Sequence, residues 1–247
     1  ACGKQALCMA MGFGCNAVGV TGCRIIDSPR ERLIAIITNS FVPCNGRFPT
    51  LITIITIFFV GSGKYSNIAS SAILAIMILF GVIMTLIVSG VLGHIFLKGL
   101  PASFTLELPP YRKPQITKVL IHSIFDRTIF ILGKAISVAA PAGLIIWVLS
   151  NITFEGKGLI YIMSDFLDPF ASLFGLDGII LTAFILGFPA NEIVIPIMVM
   201  AYMGNTTLTE MDNILCLKNI FIENGWTIQT ALSVMIFSIM HWPCSTT

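Results

Sequence analysis

Apolar residues run in blocks long enough to cross a bilayer, and the polar positions between them gather into short clusters. Residues 70–97 are the cleanest block, with no Asp, Glu, Lys or Arg and with His94 as the one titratable side chain. About 20 apolar residues suffice to cross a hydrocarbon core, so this stretch predicts a transmembrane helix. Residues 33–60 have a similar length but are split by Pro43-Cys44-Asn45-Gly46-Arg47-Phe48-Pro49. Residues 128–150, which carry Lys134 and Pro141, predict another span. Residues 176–204 predict a broken span, and residues 226–242 predict the last one, with Trp226 and Trp242 as interface anchors. Residues 5–22 are apolar but interrupted by Gly12, Gly14, Asn16, Gly19 and Gly22.

The stretches between these blocks read differently. In residues 116–130, Val119, Ile121, Phe125 and Ile129 alternate with Lys118, His122, Asp126 and Arg127, the pattern of an amphipathic helix. Residues 159–175 mix aromatic residues with Asp165 and Asp168 and are expected along the membrane surface. Residues 98–115 form a proline-rich interfacial connector, and residues 205–225 a polar loop.

Composition fixes the class. Of 247 residues, 56% are hydrophobic and 11% charged, against about 25% charged in soluble domains. The expected fold is an all-α polytopic membrane protein. A net charge of +2 without a basic run gives no support for nucleic acid as a partner. Seven cysteines, at positions 2, 8, 15, 23, 44, 216 and 244, are scattered through mostly apolar sequence and make no disulfide framework. There is no secretory signal peptide. The chain opens without Met and stops just after a motif, so it reads as a fragment.

The chemistry concentrates in Gly187-Phe188-Pro189-Ala190-Asn191-Glu192-Ile193 and the Val194-Ile195-Pro196-Ile197 that follows. A charge near the middle of a bilayer costs at least ~2.5 kcal/mol, so a carboxylate such as Glu192 is seldom idle there. Pro189 and Pro196 bracket it, and within a helix neither can donate to the carbonyl four residues earlier. The stretch therefore predicts a broken helix exposing backbone oxygens beside a carboxylate, as tolerated where backbone lines a polar cavity. No basic residue lies within ten positions of Glu192, so an ionic partner must come from another segment, with Lys134 and Arg47 as the candidates. Gly12-Phe13-Gly14-Cys15-Asn16-Ala17-Val18 repeats the pattern. Downstream of each copy an apolar run ends in Pro-Cys, at Pro43-Cys44 and at Pro243-Cys244. Paired, Gly/Pro-interrupted segments in two halves are the sequence pointer to a transport site between structural repeats.

Other motifs carry less. Gly61-Ser62-Gly63-Lys64 resembles the tail of a phosphate-binding loop, but Phe58 and Tyr65 stand where that loop needs Gly and Ser or Thr. Cys15 and Cys44 sit at the helix breaks, either as small apolar fillers or as pathway residues. Thiol, carboxylate, amide and carbonyl oxygens together suit a borderline transition metal better than Mg or Ca. Cys2, Cys8, Cys23 and Cys216 read as packing residues. His241 and Cys244 have the spacing of a base and a nucleophile but lack a third group to orient the His.

Taken together, Gly14-Cys15-Asn16, the stretch from Pro43 to Pro49, Glu107-Leu108-Pro109-Pro110-Tyr111-Arg112, Ala190-Asn191-Glu192 and His241-Trp242-Pro243-Cys244 resemble the membrane portion of the bacterial ferrous iron transport protein B family. The resemblance covers nearly the whole chain. It implies a multi-pass inner-membrane permease with two gate regions, moving Fe(II) into the cytoplasm in a GTP-linked system and itself no enzyme. It divides the chain into a first gate region with its following spans (1–97), a connector with an amphipathic helix (98–127) and a second gate region with its spans (128–247). It points to Cys15 and Cys44 as gate cysteines and to Glu192 in the second gate; the residues read with it put Cys15, Cys44, Asn191 and Glu192 on the metal, with Asn16, Asn45 and Cys244 along the path or gates. The partners it implies are Fe(II), the lipid bilayer, an N-terminal GTP-binding domain absent from this chain, and small accessory proteins; no cofactor is implied for this chain itself. The chain departs from the family pattern at Ala17-Val18-Gly19, where many members carry Val-Pro-Ala, and at Asn191, where many carry Lys. The alternatives from other classes are a gate-fold transporter of a nucleoside or organic anion, and an intramembrane Cys-His hydrolase built on His241 and Cys244.

Orientation follows from the basic residues. Arg24, Arg30 and Arg32 mark one loop, and Lys98, Arg112, Lys113, Lys118 and Arg127 mark another, two crossings away. Both are expected in the cytoplasm, with the turn at Lys64 outside. A cysteine introduced at Lys64 should be labelled by an impermeant thiol reagent added to intact cells, and one at Arg30 should not. The reverse pattern would invert the topology.

Overall fold

A computed structural model describes residues 3–60, 66–96, 115–154, 157–204 and 214–247. The chain begins with two helices, α1 (Gly3–Gly14) and α2 (Asn16–Gly22), packed on each other across a break at Cys15. Next come α3 (Pro29–Thr38) and α4 (Phe48–Ile54), separated by two single turns, then α5 (Ser66–Val91). A continuous rod joins α6 (Ile116–His122) to α7 (Phe130–Asn151). A two-residue antiparallel pair, Thr153–Phe154 with Lys157–Gly158, leads into α8 (Leu159–Ala171). The chain closes with α9 (Gly178–Leu186), α10 (Val194–Met203), α11 (Ile214–Glu223) and α12 (Ile228–Met240).

Among the described residues, three helical stretches are long and apolar enough to cross a membrane: Pro29–Phe59, Ser66–Ile95 and Phe130–Asn151. They coincide with three of the spans expected from the sequence. Large apolar side chains on the last two point outward, such as Leu79, Leu86, Ile136 and Trp147, as a lipid-facing surface requires. The rest adds to expectation or departs from it. Residues 159–186 form a pair of helices bent by 103° between Phe174 and Gly178, at the boundary expected between the 159–175 segment and the broken span. Asp177 makes the bend: its carboxylate caps α9 by accepting from the backbone N–H of Ile180 at 2.6 Å, and Asp168 accepts from the N–H of Gly178 at 2.9 Å. Helix α12 has only 13 residues, too few to cross alone. Within the expected polar loop, residues 214–223 are helix α11, which buries Leu217 and Phe221. Its apolar positions are spaced for a helix face, and the loop's average polarity hides them. The connector after Leu97 and the turn at Lys64 lie outside the described residues.

One contact bears on orientation. Arg30 donates to the carbonyl of Gly93, so the Arg24–Arg32 loop and the far end of α5 share one side of the molecule. In the same loop Lys4 pairs with Asp27, holding that carboxyl below the usual carboxylate range.

Helix α5 is the wall against which both halves close. Its buried positions, Met77, Gly81, Thr85 and Ser89, recur every fourth residue and are mostly small, which lets backbones approach. Ser89 meets Gln5 of α1, whose amide donates to it at 3.3 Å and to Thr38 at 3.2 Å. Gly81 is tighter still: a Cβ there would lie 2.8 Å from the Phe41 carbonyl and 3.1 Å from the Pro43 ring. Gly81→Ala should therefore destabilise by about 1–3 kcal/mol, the usual scale of overpacking. At Gly90, where a Cβ would meet nothing within 4 Å, Ala should be neutral or stabilising. Thermal unfolding of the two variants in detergent checks the contrast, and equal melting temperatures would refute it.

Candidate functional site

The two Gly-Phe motifs fold alike. Cys15, between α1 and α2, is extended at φ −154° and ψ 126°, and Ala190, ahead of the turn that starts α10, has φ −152° and ψ 115°. Each sits three residues after a glycine of the repeat and just before an asparagine. Asn16 and Asn191 are both buried, at 1% and 6% exposure. The second elements of the repeat match as well. After Pro43-Cys44 the backbone N–H of Arg47 donates to the Cys44 carbonyl at 2.9 Å, and after Pro243-Cys244 that of Thr247 donates to the Cys244 carbonyl at 3.0 Å. The sequence similarity thus reflects two copies of a helix–break–helix unit, each followed by a Pro-Cys turn. Pro189 lies inside the second break and Pro196 is the third residue of α10, so the prolines shape the break and the helix start without interrupting a ladder.

In the first unit, Asn39 holds the break open. Its side chain fills the space beside Gly12 and Gly19, where a Cβ at either would come within 2.7 Å of it. The Asn39 amide donates to the carbonyl of Asn16 at 3.2 Å. With its nitrogen turned inward, the Asn16 amide donates to Gly12 and Val42 carbonyls at 3.2 and 3.3 Å. The break is thereby tied to the run entering Pro43.

The two units are joined by Arg47, which is fully buried. One terminal nitrogen, Nη1, donates to the carbonyls of Ser40 at 2.7 Å and Ile239 at 3.1 Å. The other, Nη2, donates to those of His241 and Trp242, both at 3.2 Å. Proline supplies the reason: Pro243 has no N–H for the Ile239 carbonyl four residues earlier, and the guanidinium takes the vacated acceptor. Among the described residues no carboxylate pairs with Arg47.

The residues singled out in the sequence fall into two groups. Cys44, Asn45, Asn191 and Glu192 come together, because the turn Asn45–Arg47 packs against the turn Asn191–Ile193, and Cys244 follows the His241 and Trp242 carbonyls to which Arg47 donates. Cys44 and Asn191 are buried, Cys244 is half-buried, and Asn45 and Glu192 are exposed. Cys15 and Asn16 belong to the first break, linked to this group through Asn39 and Val42. No ion pair of Glu192 with Lys134 or Arg47 forms among the described residues: Lys134 is exposed, and the Arg47 guanidinium donates to carbonyls. Cys8 and Cys23 are packed in a small core with Ile26 and Ala35, as expected of filler cysteines. His241 and Cys244 have separate partners: the His241 Nδ1 contacts the carbonyls of Phe237 and Ser238, and the Cys244 thiol contacts Thr246 at 3.0 Å. No group of three or more His, Cys, Asp or Glu is placed to hold a metal among the described residues. What the site offers is dispersed: thiols, amides and backbone oxygens at two helix breaks.

Sequence reasoning missed Asn39, which looks like any polar residue at a helix end, and it offered Arg47 as an ionic partner for Glu192 where the structure has it donating to backbone carbonyls. The signal for Arg47 was available: an arginine four residues after Pro43, in a chain where a second Pro-Cys run leaves carbonyls without donors.

Comparison with known proteins adds a separate line. Residues 132–247 match a family described as "Nucleoside recognition", and residues 74–126 match one described as "Ferrous iron transport protein B C terminus". The chain is similar to the "Fe(2+) transporter FeoB" of Staphylococcus aureus (strain COL), with 30% identity over 99% of this chain and 35% of the relative. It is also similar to the protein of that name from Methanocaldococcus jannaschii, with 27% identity over 99% of this chain and 36% of the relative. A third, from Legionella pneumophila, is 27% identical over 70% of this chain and 23% of the relative. The chain thus spans about a third of the length of the first two relatives. No solved structure matches.

Proposed function

The chain belongs to the ferrous iron transport protein B family, and from that premise we propose that it is the Fe(II)-conducting membrane part of a GTP-linked uptake system in the inner membrane. The observation that carries this reading is the meeting of the two pseudo-repeated units at the turns Asn45–Arg47 and Asn191–Ile193, which brings the Cys44-Asn45 stretch of one half beside Asn191 and Glu192 of the other. A transport path needs ligands strong enough to strip water from an ion and dispersed enough to release it. Borderline ligands of this kind suit Fe(II). In this reading Cys15 and Cys44 serve the first gate and Asn191 and Glu192 the second, with Asn16, Asn45 and Cys244 along the path. The gates fall in residues 1–97 and 128–247, joined by 98–127. The GTP-binding domain and small accessory proteins act from outside this chain, and the chain itself performs transport without catalysis. Several relatives aligned along nearly all of this chain carry the name of an Fe(2+) transporter, which favours iron over a nucleoside.

Anaerobic Fe(II) uptake into proteoliposomes holding the full-length protein tests the reading. Replacing Cys15 and Cys44 together with Ser keeps the size and loses the soft thiolates, and should cut uptake by about tenfold, equivalent to ~1.4 kcal/mol. Wild-type uptake by the double variant would return both cysteines to packing roles.

Glu192→Gln separates transport from architecture. The substitution keeps the shape and removes the charge that offsets dehydration of a divalent ion. Because Glu192 is exposed and no described ion pair depends on it, protein abundance should be unchanged while most uptake is lost. Normal uptake at normal abundance would take Glu192 off the path.

A further inference from the structure

The guanidinium of Arg47 occupies a space built for a cation. Four backbone carbonyls converge on it, three from the second half (Ile239, His241 and Trp242) and one from the first (Ser40), at 2.7 to 3.2 Å. Ile239 and Ser40 lie at or next to the C-terminal ends of helical segments, where the backbone dipole is negative. Carbonyl oxygens without a carboxylate are what filters use to replace the hydration shell of a passing ion. The fit to guanidinium is incomplete, because Nε of Arg47 is buried with no partner. A second buried group, on a residue that supplies one of the four carbonyls, is also unsatisfied. His241, whose carbonyl is one of the four, is 5% exposed, and its Nε2 has no partner. An imidazole nitrogen with a free lone pair is a good ligand for Fe(II)-class metals and of no use to a guanidinium, which has only N–H donors.

We infer that the carbonyls of Ser40, Ile239, His241 and Trp242 form a cation cage in which the Arg47 guanidinium sits as a tethered surrogate, and which a divalent transition-metal ion enters when that side chain withdraws. The inference rests on the reading of the chain as an Fe(II) path. Its chemistry is substitution of one cation by another, with no bond made or broken. While Arg47 is in place, its charge keeps other cations away from Cys44 and Cys244 and the two halves stay clasped. Once it leaves, the two halves lose their common donor and the cage faces the thiols.

The test uses the full-length protein in proteoliposomes without nucleotide, with Mn(II) as a redox-stable probe. Arg47→Ala should admit Mn(II) at least tenfold faster than the wild type, and millimolar guanidinium should suppress the excess by refilling the cage. In detergent, Mn(II) should raise the melting temperature of Arg47→Ala, and guanidinium should compete with that rise. A folded Arg47→Ala protein that stays as tight as the wild type and is not stabilised by Mn(II) would overturn the inference. If that variant does not fold, Arg47→Lys decides: an ammonium with three donors leaves one carbonyl unfilled, so Mn(II) entry should rise severalfold, and wild-type tightness would overturn the inference. Wild-type Fe(II) uptake, measured in the same vesicles under anaerobic conditions with GTP supplied, keeps the two readings apart. Uptake by the wild type with no gain in the variants sinks the cage and spares the Fe(II) path. Cation entry in the variants with no Fe(II) uptake by the wild type does the opposite.

Discussion

A buried arginine held only by backbone carbonyls is the constraint on which this structure turns. Taking a guanidinium out of water costs several kcal/mol after relaxation. Here no carboxylate offsets that cost among the described residues, so the four hydrogen bonds and the helix ends must do so. Hydrogen bonds to a charged group contribute about 1.5–3 kcal/mol each, so the four together offset a cost of that size. That requirement fixes the geometry of both halves at once. The turn Asn39–Phe41 must present the Ser40 carbonyl, α12 must end before Pro243, and the turn after Cys44 must aim Arg47 across the gap. The contact of Gly81 with the Phe41 carbonyl and the Pro43 ring then closes α5 behind the junction with no room for a side chain.

The functional groups sit where helices stop. Each unit reaches its break through a glycine whose missing side chain is already spoken for: Gly12 by Asn39, Gly187 by Val194 at 2.5 Å and by the Ala183 carbonyl at 2.9 Å. An extended residue follows, then a buried asparagine. This arrangement turns backbone that would be hydrogen-bonded inside a helix toward the space between the halves, at the depth where Cys44 and Asn191 are buried. Packing and chemistry are therefore not separable here, since the same glycines and prolines that break the helices create the oxygen-lined ground between them.

Much of this was legible in the residues. The long apolar blocks give three crossing helices, because a bilayer imposes a length that composition alone reveals. The repeated Gly-Phe and Pro-Cys motifs give the two units, because only Gly and Pro break helices reliably and they do so at fixed offsets. Three things were hidden. Helix α11 is masked by the polar average of its surroundings, although Leu217 and Phe221 share a face. The 103° bend before α9 depends on Asp168 and Asp177 meeting backbone N–H groups, which no periodicity records. The staple at Arg47 joins residues about 190 positions apart, so it exists only once the chain is folded.

The repeat is faithful in backbone but not in charge. Positions 43, 44 and 47 correspond to 243, 244 and 247, and where the first half has Arg47 the second has Thr247. The first half therefore reaches into the second, and no matching cation reaches back. A frame of two like units with a key on only one side is mechanically a latch with a fixed hinge. The halves are therefore not interchangeable at this contact: a motion that frees Arg47 from the carbonyls of Ile239, His241 and Trp242 has no counterpart starting from Thr247.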